Sequence, residues 1–272
     1  MTGAGAGDQD PFVAIDTPIF LTFSRKVVRL SPNRVAALFF TPADMKGQTQ
    51  APVKVLVVTG GHDYDTVAFS DMLTDLGNEF TFEFVGFPEA FTMFLPENRN
   101  NYDVLVFYHM WQTITDEQKE TLSSCIREGK PLVALHHSIC AFDGWEEYTR
   151  IIGGKYFHVP TVVEGVEYPV SSYEHDRKIL LSVVDTNHPV TKSLRDFELF
   201  DETYRGFYVS PDVTPLLRTS DPTSTPVIGW AHHYGKARVV TIQSGHDAPT
   251  FQNENYRRLL RQALLWVYGK TN

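Results

Sequence analysis

The chain has little cysteine, a shortage of positive charge and no long apolar run, and each shortage excludes a class of protein. Its 272 residues contain two cysteines, Cys125 and Cys140, which are too few for a disulfide framework or a cysteine-rich metal site. Lys and Arg number 24 against 33 Asp and Glu, and no basic cluster is present, so a nucleic acid is not an expected partner. Because no run of about 18 apolar residues occurs, no membrane-spanning helix is expected.

A secretory leader is not expected either. Arg25 and Lys26 precede an apolar stretch over residues 27–40, but Arg29 and Pro32 interrupt that stretch. A signal sequence needs an apolar segment of roughly 7–15 residues. We therefore expect a cytoplasmic protein rather than a periplasmic one.

Residues 1–52 differ in pattern from residues 53–270. The first ten residues are rich in Gly, Ala and Asp, and residues 41–52 carry two prolines, so residues 1–52 are predicted to be an N-terminal extension and linker, disordered in part. From Val53 onward, strand and helix patterns alternate. Strands are predicted at 53–59, 80–85, 103–108, 132–135, 179–184, 213–217, 227–231 and 237–242, and helices at 66–76, 115–128, 145–152 and 255–268. This alternation predicts an α/β domain over residues 53–270, built on a doubly wound, mostly parallel central sheet.

Four of the apolar runs end on a histidine: VLVVTGGH, VLVFYH, LVALHH and VVTIQSGH. Short runs of Val, Leu and Ile without alternation are typical of strands buried on both faces of a mostly parallel sheet. The carboxyl ends of such strands line the crevice where ligands bind. We therefore expect one pocket to be surrounded by the histidines that end these runs, namely His62, His109, His136 or His137, and His246.

Glu202, in the segment FELFDETY, is the carboxylate that we add to these histidines. It could orient a histidine as a general base, with His136, His137 and His246 as the acid–base candidates. Alternatively, it could join His62, His136 and His246 in binding a divalent ion such as zinc. No HxxxH or HExxH spacing is present, so the ligands of such an ion would come from separate strands. The sequence leaves both interpretations open.

Each strand-end histidine also has a structural interpretation. His62 could cap the helix that follows it, and His109 could pack against the Met110-Trp111 pair. Strand alternation sends neighbouring side chains to opposite faces, so one of His136 and His137 is expected to be structural.

Other histidines and the first cysteine have simpler expectations. His158 and His188 are expected to make loop hydrogen bonds. His175 lies in a charged segment and is expected to be solvated. Cys125 falls in a helical pattern, where a small buried apolar residue is expected.

Three segments of the chain resemble the ThuA-like (trehalose utilisation) family. The first is Gly60-Gly61-His62, and the second is LHHSICAFDGWEEYTRIIGGKYFH over residues 135–158. The third combines Asn187-His188-Pro189 and Asp201-Glu202-Thr203-Tyr204 with the block YGKARVVTIQSGH that ends at His246. The family belongs to the class I glutamine amidotransferase-like superfamily. The resemblance therefore implies a flavodoxin-like, three-layer α/β/α sandwich.

The chain departs from the amidotransferases at their nucleophile. In those enzymes a strand leads into a tight turn that exposes a catalytic cysteine, whereas here the segment PLVALHHS places His136 at that position. An imidazole cannot form the usual thioester intermediate, and Cys140 lies four residues further along, where we expect the following turn. Gln243 to Asp247 still resembles the segment of the catalytic histidine. We expect no glutaminase activity.

The resemblance points to metabolism of trehalose or a related disaccharide, including oxidised keto-sugars. Aromatic side chains near the motifs suit a sugar, because the apolar faces of a sugar stack on rings. The expected substrate-binding residues are His62, His109, Trp111, Trp145 and Tyr204.

The leading hypothesis is an enzyme that acts on a small sugar or sugar derivative through these His and Glu groups or a metal held by them. The alternative is a non-catalytic sugar- or metabolite-binding module on an amidotransferase-like scaffold. A third hypothesis is a metal-dependent hydrolase unrelated to sugar. A homo-oligomer is compatible with each of them.

Overall fold

The computed structural model of the protein describes residues 51–270, so nearly all of the predicted extension lies outside the described residues. The helices are α1 Thr66–Thr74, α2 Asp116–Arg127, α3 Glu146–Ile152, α4 Ala248–Phe251 and α5 Glu254–Tyr268. The strands are β1 Val53–Gly60, β2 Phe80–Gly86, β3 Val104–His109, β4 Leu132–Leu135, β5 Gly154–Lys155, β6 Thr161–Val163, β7 Val166–Tyr168, β8 Ser172–Val183, β9 Phe197–Arg205, β10 Tyr208–Val209, β11 Thr214–Arg218, β12 Val227–Tyr234 and β13 Ala237–Ile242.

Nine of the strands form one sheet in the order β2-β1-β3-β4-β13-β12-β11-β8-β9. The first five strands in this order are parallel, as the alternation of strands and helices predicted. The remaining four continue the sheet with antiparallel pairing, beginning with the hairpin of β12 and β13. The sheet is therefore parallel in one half and antiparallel in the other.

Helices cover both faces of the sheet, as the apolar strands require. In β1, Val55 and Val57 pack on the face that also buries residues of α1 and α5, whereas Leu56 and Val58 pack on the face that buries residues of α2 and α3. Alternate side chains of one strand thus enter two separate cores. The fold is a three-layer α/β/α sandwich, in agreement with the prediction. No helix within residues 51–270 is long and apolar enough to cross a membrane.

Local sequence explains where two of these helices begin and end. Thr115 caps α2, because its hydroxyl accepts from the amide of Gln118 while the Gln118 side chain accepts from the amide of Thr115. Gly153 ends α3 with a φ of 73°, the left-handed conformation that favours glycine at this position. Both boundaries agree with the sequence prediction.

The hairpin of β8 and β9 was predicted only in part. β8 begins at Ser172, seven residues before the predicted start of that strand, and β9 was not predicted as a strand. Polar residues occupy the first half of β8, so no apolar pattern marks it. Its register shifts between Glu174 and Arg177, and Asp176 there has a φ of 57°, which together form a β-bulge at His175.

β9 is the last strand of the sheet, and side chains from the chain that follows β13 cover part of its outer edge. Thr250 Oγ1 donates to the carbonyl oxygen of Phe200 at 2.9 Å. Asn253 Nδ2 donates to the carbonyl oxygen of Glu198 at 3.0 Å. These contacts hold α4 and the start of α5 beside the strand that carries Glu202.

Candidate metal centre

Three side chains meet with their polar atoms almost in contact. His136 Nε2 lies 3.1 Å from Glu202 Oε2, and His246 Nδ1 lies 3.3 Å from the same oxygen. The two imidazole nitrogens are 3.1 Å apart. The three residues come from different places in the chain: the turn after β4, the strand β9 and the loop after β13. The structure therefore joins three of the residues that the sequence analysis selected.

Neighbouring strand ends explain how His136 is oriented. β4 and β13 run parallel with Leu135 beside Ile242, so His136 and Gln243 leave the sheet side by side. His136 Nδ1 then donates to the carbonyl oxygen of Gln243 at 2.8 Å. A carbonyl oxygen only accepts, so the proton must lie on Nδ1. Nε2 is consequently the atom that the ring presents to Glu202 and His246.

The backbone of His136 is unusual for a residue with a side chain. Its φ is 49°, in the left-handed region, and it begins a 3-10 turn over His136–Cys140 instead of continuing the strand. Strand alternation therefore does not apply to His136 and His137. Both rings are buried, and their centroids lie 5.0 Å apart. The expectation that the two side chains point to opposite sides of a strand is not met.

The spacing of the three donor atoms fits a tetrahedral metal ion. Ligands about 2.05 Å from a zinc ion in tetrahedral geometry lie about 3.3 Å from one another. The observed separations of 3.1, 3.1 and 3.3 Å approach that value. Two imidazoles and one carboxylate form a donor set that zinc accepts, and a set of three protein ligands leaves one position open. His136, Glu202 and His246 therefore fit a divalent ion.

Charges within the trio support the same interpretation. Burial acts to raise the pKa of Glu202, but its interactions with the imidazoles of His136 and His246 outweigh burial and hold that pKa well below its ordinary value. The hydrogen bond with Glu202 in turn raises the pKa of His246. A buried carboxylate that stays ionised attracts a cation, which is either a protonated histidine or a metal ion.

His62 and His137 stand beside the trio. Their rings are 4.7 Å apart, and the ring of His62 is 6.2 Å from that of His246. Burial lowers the pKa of His137 well below its ordinary value, and it also lowers the pKa of His62, which remains exposed in part. Both imidazoles are therefore neutral near pH 7. Within residues 51–270, neither ring nitrogen of His137 has a hydrogen-bond partner.

His62 does not cap the helix after it. Asp65 takes that role, since its side chain accepts from the amide of Ala68 at 2.9 Å. His62 is held instead by the close turn before it: a Cβ on Gly61 would lie 1.7 Å from the carbonyl oxygen of Met110. Only glycine fits there, so the loop carries His62 directly over the end of β3.

One histidine of this site was not predicted from the sequence. His175, expected to be solvated, is about half exposed, but its Nδ1 lies 3.3 Å from Glu202 Oε1 and its ring lies 5.1 Å from that of His246. The bulge in β8 turns it toward the trio. A bulge is set by cross-strand register, which a single polar segment does not reveal.

His109 is not part of the trio. Its ring packs among Phe87, Phe107, Phe142 and Tyr148, and it has no exposed surface. Burial in this apolar surrounding lowers the pKa of His109 to about 3. In this structure His109 is a core residue, contrary to the expectation that it contacts the substrate.

The three aromatic residues expected to bind substrate lie in different surroundings. Tyr204 is buried, stacks on His136 and has its hydroxyl 3.1 Å from Nε2 of that ring, so it supports the trio instead of lining an open surface. Trp111 is 53% exposed and stacks on His158 with ring centroids 4.0 Å apart. Trp145 packs on Tyr148 and lines a cleft of about 870 Å³ whose lining includes none of the trio.

His158 and His188 make the loop hydrogen bonds that were expected. His158 Nδ1 lies 2.7 Å from Asp143 Oδ2, and His188 Nδ1 accepts from the amide of Val190 at 3.2 Å. Cys125 is buried in α2, as predicted, and Cys140 is buried with 2% exposure. Burial raises the pKa of the Cys140 thiol, which makes it a poor nucleophile.

Comparison with known proteins agrees with the fold and with the motifs. The family described as ThuA, trehalose utilisation, has a model that matches residues 54–267. A ThuA-like protein from Parabacteroides merdae superimposes with a TM-score of 0.69 at 21% identity, over 81% of this chain and 92% of that one. A ThuA-like protein from Bacteroides uniformis gives 0.63 at 20% identity, over 82% and 94%. A search of curated proteins gave no match. At these identities the solved structures support the fold alone.

Proposed function

Since the chain belongs to the ThuA (trehalose utilisation) family, we propose that it is an enzyme of carbohydrate metabolism whose centre binds a divalent ion such as zinc. The observation that carries the proposal is the donor triangle of His136 Nε2, Glu202 Oε2 and His246 Nδ1, with sides of 3.1 to 3.3 Å. Two imidazole nitrogens this close to a carboxylate oxygen form a pocket of electron-pair donors that a divalent ion would fill. The donor set suits zinc.

A bound ion of this kind supplies Lewis acidity toward an oxygen of the substrate. The protein residues supply the other functions. His136, Glu202 and His246 hold the ion. The ring of Tyr204 stacks on that of His136, and the carbonyl oxygen of Gln243 accepts from its Nδ1, so these two contacts orient the ring of His136. His62 is neutral near pH 7 and lies beside the trio, which suits it to accept a proton from a sugar hydroxyl.

The sugar part of the proposal draws on the exposed ring of Trp111, which a series of ring contacts links to the centre. The indole of Trp111 is held on His158, and Tyr156 lies between His158 and Tyr204 with ring centroids 5.1 and 5.3 Å away. An exposed ring suits the apolar face of a pyranose, while imidazole and carboxylate groups suit its hydroxyls. The proposed substrates are neutral disaccharides such as trehalose and their keto derivatives.

The first test measures zinc binding by titration calorimetry on the purified protein and two variants. Glu202→Gln keeps the shape of the side chain and removes its charge, so we expect the affinity for zinc to fall at least tenfold. Glu198→Gln is the control, because Glu198 lies on the same strand and its side chain is 60% exposed and paired with Lys178. A lower melting temperature of Glu202→Gln with unchanged zinc affinity would remove Glu202 from the centre.

The second test incubates the zinc-loaded protein with trehalose and its keto derivative and follows both binding and turnover. Turnover that Glu202→Gln abolishes supports the enzyme. Binding without turnover supports a sugar-binding module, and turnover only of esters or amides that are not sugars supports a hydrolase of another class.

A further inference from the structure

The loop of residues 243–247 carries His246. Side chains from several strands and helices form hydrogen bonds with its main chain. Its carbonyl oxygens accept from three rings: Gln243 from His136, Ser244 from the Tyr256 hydroxyl and Gly245 from the Tyr108 hydroxyl, at 2.8 to 2.9 Å. The amides of Gly245 and His246 are bound by a single carboxylate, and the amide of Gln243 donates to the carbonyl oxygen of Ile228. A loop held in this way presents its histidine in one position.

Asp201 is the carboxylate that binds those amides. Its Oδ2 accepts from the amide of Gly245 at 2.7 Å, and its Oδ1 accepts from the amide of His246 at 3.0 Å. The same Oδ1 accepts from the amide of Glu202 at 2.8 Å. The side chain is buried, and three backbone donors are what makes a buried carboxylate tolerable.

We propose that Asp201 is a positioning residue that sets the distance between Glu202 and His246 and thereby the affinity of the centre for its metal ion. This inference rests on the proposed function, since it concerns the same centre. Asp201 contacts the main chain of both residues, and it does so through one rigid carboxylate. Shifting either residue would break one of the three hydrogen bonds.

The other anchors of the loop do not have this role. Tyr108 and Tyr256 come from β3 and α5, which carry none of the three ligands. Gln243 Nε2 donates to the carbonyl oxygen of Glu202 at 3.2 Å, but Gln243 precedes His246 by three residues. Asp201 therefore provides the shortest connection between the main chains of the two ligands.

The variant Asp201→Asn tests this role sharply. An amide has one oxygen, so in either orientation its NH₂ group would face at least one backbone N–H that the carboxylate now accepts. Asp247→Asn is the matched control. It removes a carboxylate charge that also acts on His246, but Asp247 Oδ1 has no hydrogen-bond partner within residues 51–270, and its side chain caps no helix.

Three measurements on the whole protein are compared: zinc affinity, the absorption spectrum of bound Co²⁺, which reports coordination geometry, and hydrogen exchange of the Gly245 and His246 amides. For Asp201→Asn we expect at least tenfold weaker zinc binding, a changed Co²⁺ spectrum and at least tenfold faster exchange. For Asp247→Asn we expect changes of less than about threefold. Faster exchange in Asp201→Asn with unchanged zinc affinity and Co²⁺ spectrum would overturn the proposal.

Two further outcomes keep the test decisive. If Asp201→Asn does not fold, Asp201→Glu keeps the charge and moves both oxygens by one methylene, and an unchanged Co²⁺ spectrum in that variant overturns the proposal. If the wild-type protein binds neither ion, the proposed function fails. The exchange data then decide whether Asp201 positions His246: exchange that is faster only in Asp201→Asn supports that role, and equal rates in the two variants overturn it.

Discussion

His136 Nδ1 donates to the main-chain carbonyl of Gln243, which turns Nε2 of the same ring toward Glu202. The two residues are neighbours because parallel strands β4 and β13 end together. Histidines that bind metal ions commonly donate their other ring N–H to a backbone carbonyl or a carboxylate, which fixes the orientation of the ring. The resemblance in sequence implies that His136 stands where the amidotransferases carry a catalytic thiol. In this structure the turn after β4 presents an imidazole nitrogen at that place.

Buried His109 predicts a loss of stability in acid. Its folded pKa of about 3 lies below the ordinary value of 6.5, so the unfolded chain binds a proton between these limits and the folded protein does not. The free energy of unfolding therefore falls as the pH drops below 6.5, by about 2 kcal/mol at pH 5 from this residue alone. His109→Phe keeps a ring in the aromatic surrounding and should flatten the dependence. The measurement is chemical denaturation at pH 5 and 7, and an equal pH dependence in the variant contradicts the prediction.

Gly61→Ala should be strongly destabilising and should displace His62. The added Cβ would lie 1.7 Å from the carbonyl oxygen of Met110, and φ at this position is 78°. The control is Gly144→Ala, where φ is 72° and nothing lies within 4 Å of the new Cβ. We expect a loss of about 3 kcal/mol in the first variant and about 1 kcal/mol in the second. The melting temperatures of the two variants, measured under the same conditions, test this prediction. Similar losses of stability in both variants would refute the steric argument.

Glutaminase activity should be absent. Cys140 is buried and its thiol pKa is raised by burial. The resemblance in sequence also implies that His136 replaces the amidotransferase nucleophile. Incubation with glutamine should release no ammonia above background, and Cys140→Ser should leave zinc binding unchanged. Ammonia release that Cys140→Ser abolishes would show that the thiol is reactive after all.

Trp111→Ala should weaken sugar binding with little effect on stability, because the ring is 53% exposed. Loss of a stacking surface should lower the affinity for a disaccharide about fivefold to tenfold. Trp111→Phe retains an aromatic face and should keep most of the affinity. Calorimetry on the zinc-loaded protein measures the difference. Equal affinities for Trp111→Ala and the wild type would exclude the indole from the sugar site.

Sequence reasoning was most successful where burial on two faces leaves a continuous apolar run. β1, β3, β4 and β13 were predicted for this reason, and the histidines that follow them could be expected at one edge of the sheet. His109 shows the limit of that argument, since a strand-end residue can turn inward and become part of the core. The sequence indicates where a strand ends, but not which way its last side chain turns.

The residues of the centre that lie on the antiparallel strands β8 and β9 were harder to predict. Glu202 was selected from its motif, but its strand was not recognised, and Asp201 and His175 had no role in the sequence analysis. Their roles depend on which residues stand across from them: Asp201 faces the amides of Gly245 and His246, and His175 lies on a bulge. Contacts between segments that lie tens of residues apart depend on tertiary structure, and local sequence patterns do not predict them.

The covered edge of β9 affects whether a second copy of the protein can pair with this end of the sheet. An open edge strand is a template on which another chain can add a strand, and Phe200, 45% exposed, would make such a contact adhesive. Here the carbonyl oxygens of Glu198 and Phe200 are already occupied by Asn253 and Thr250. The same side chains that hold α4 and α5 beside the candidate centre therefore also make strand pairing with another molecule less favourable at this end of the sheet.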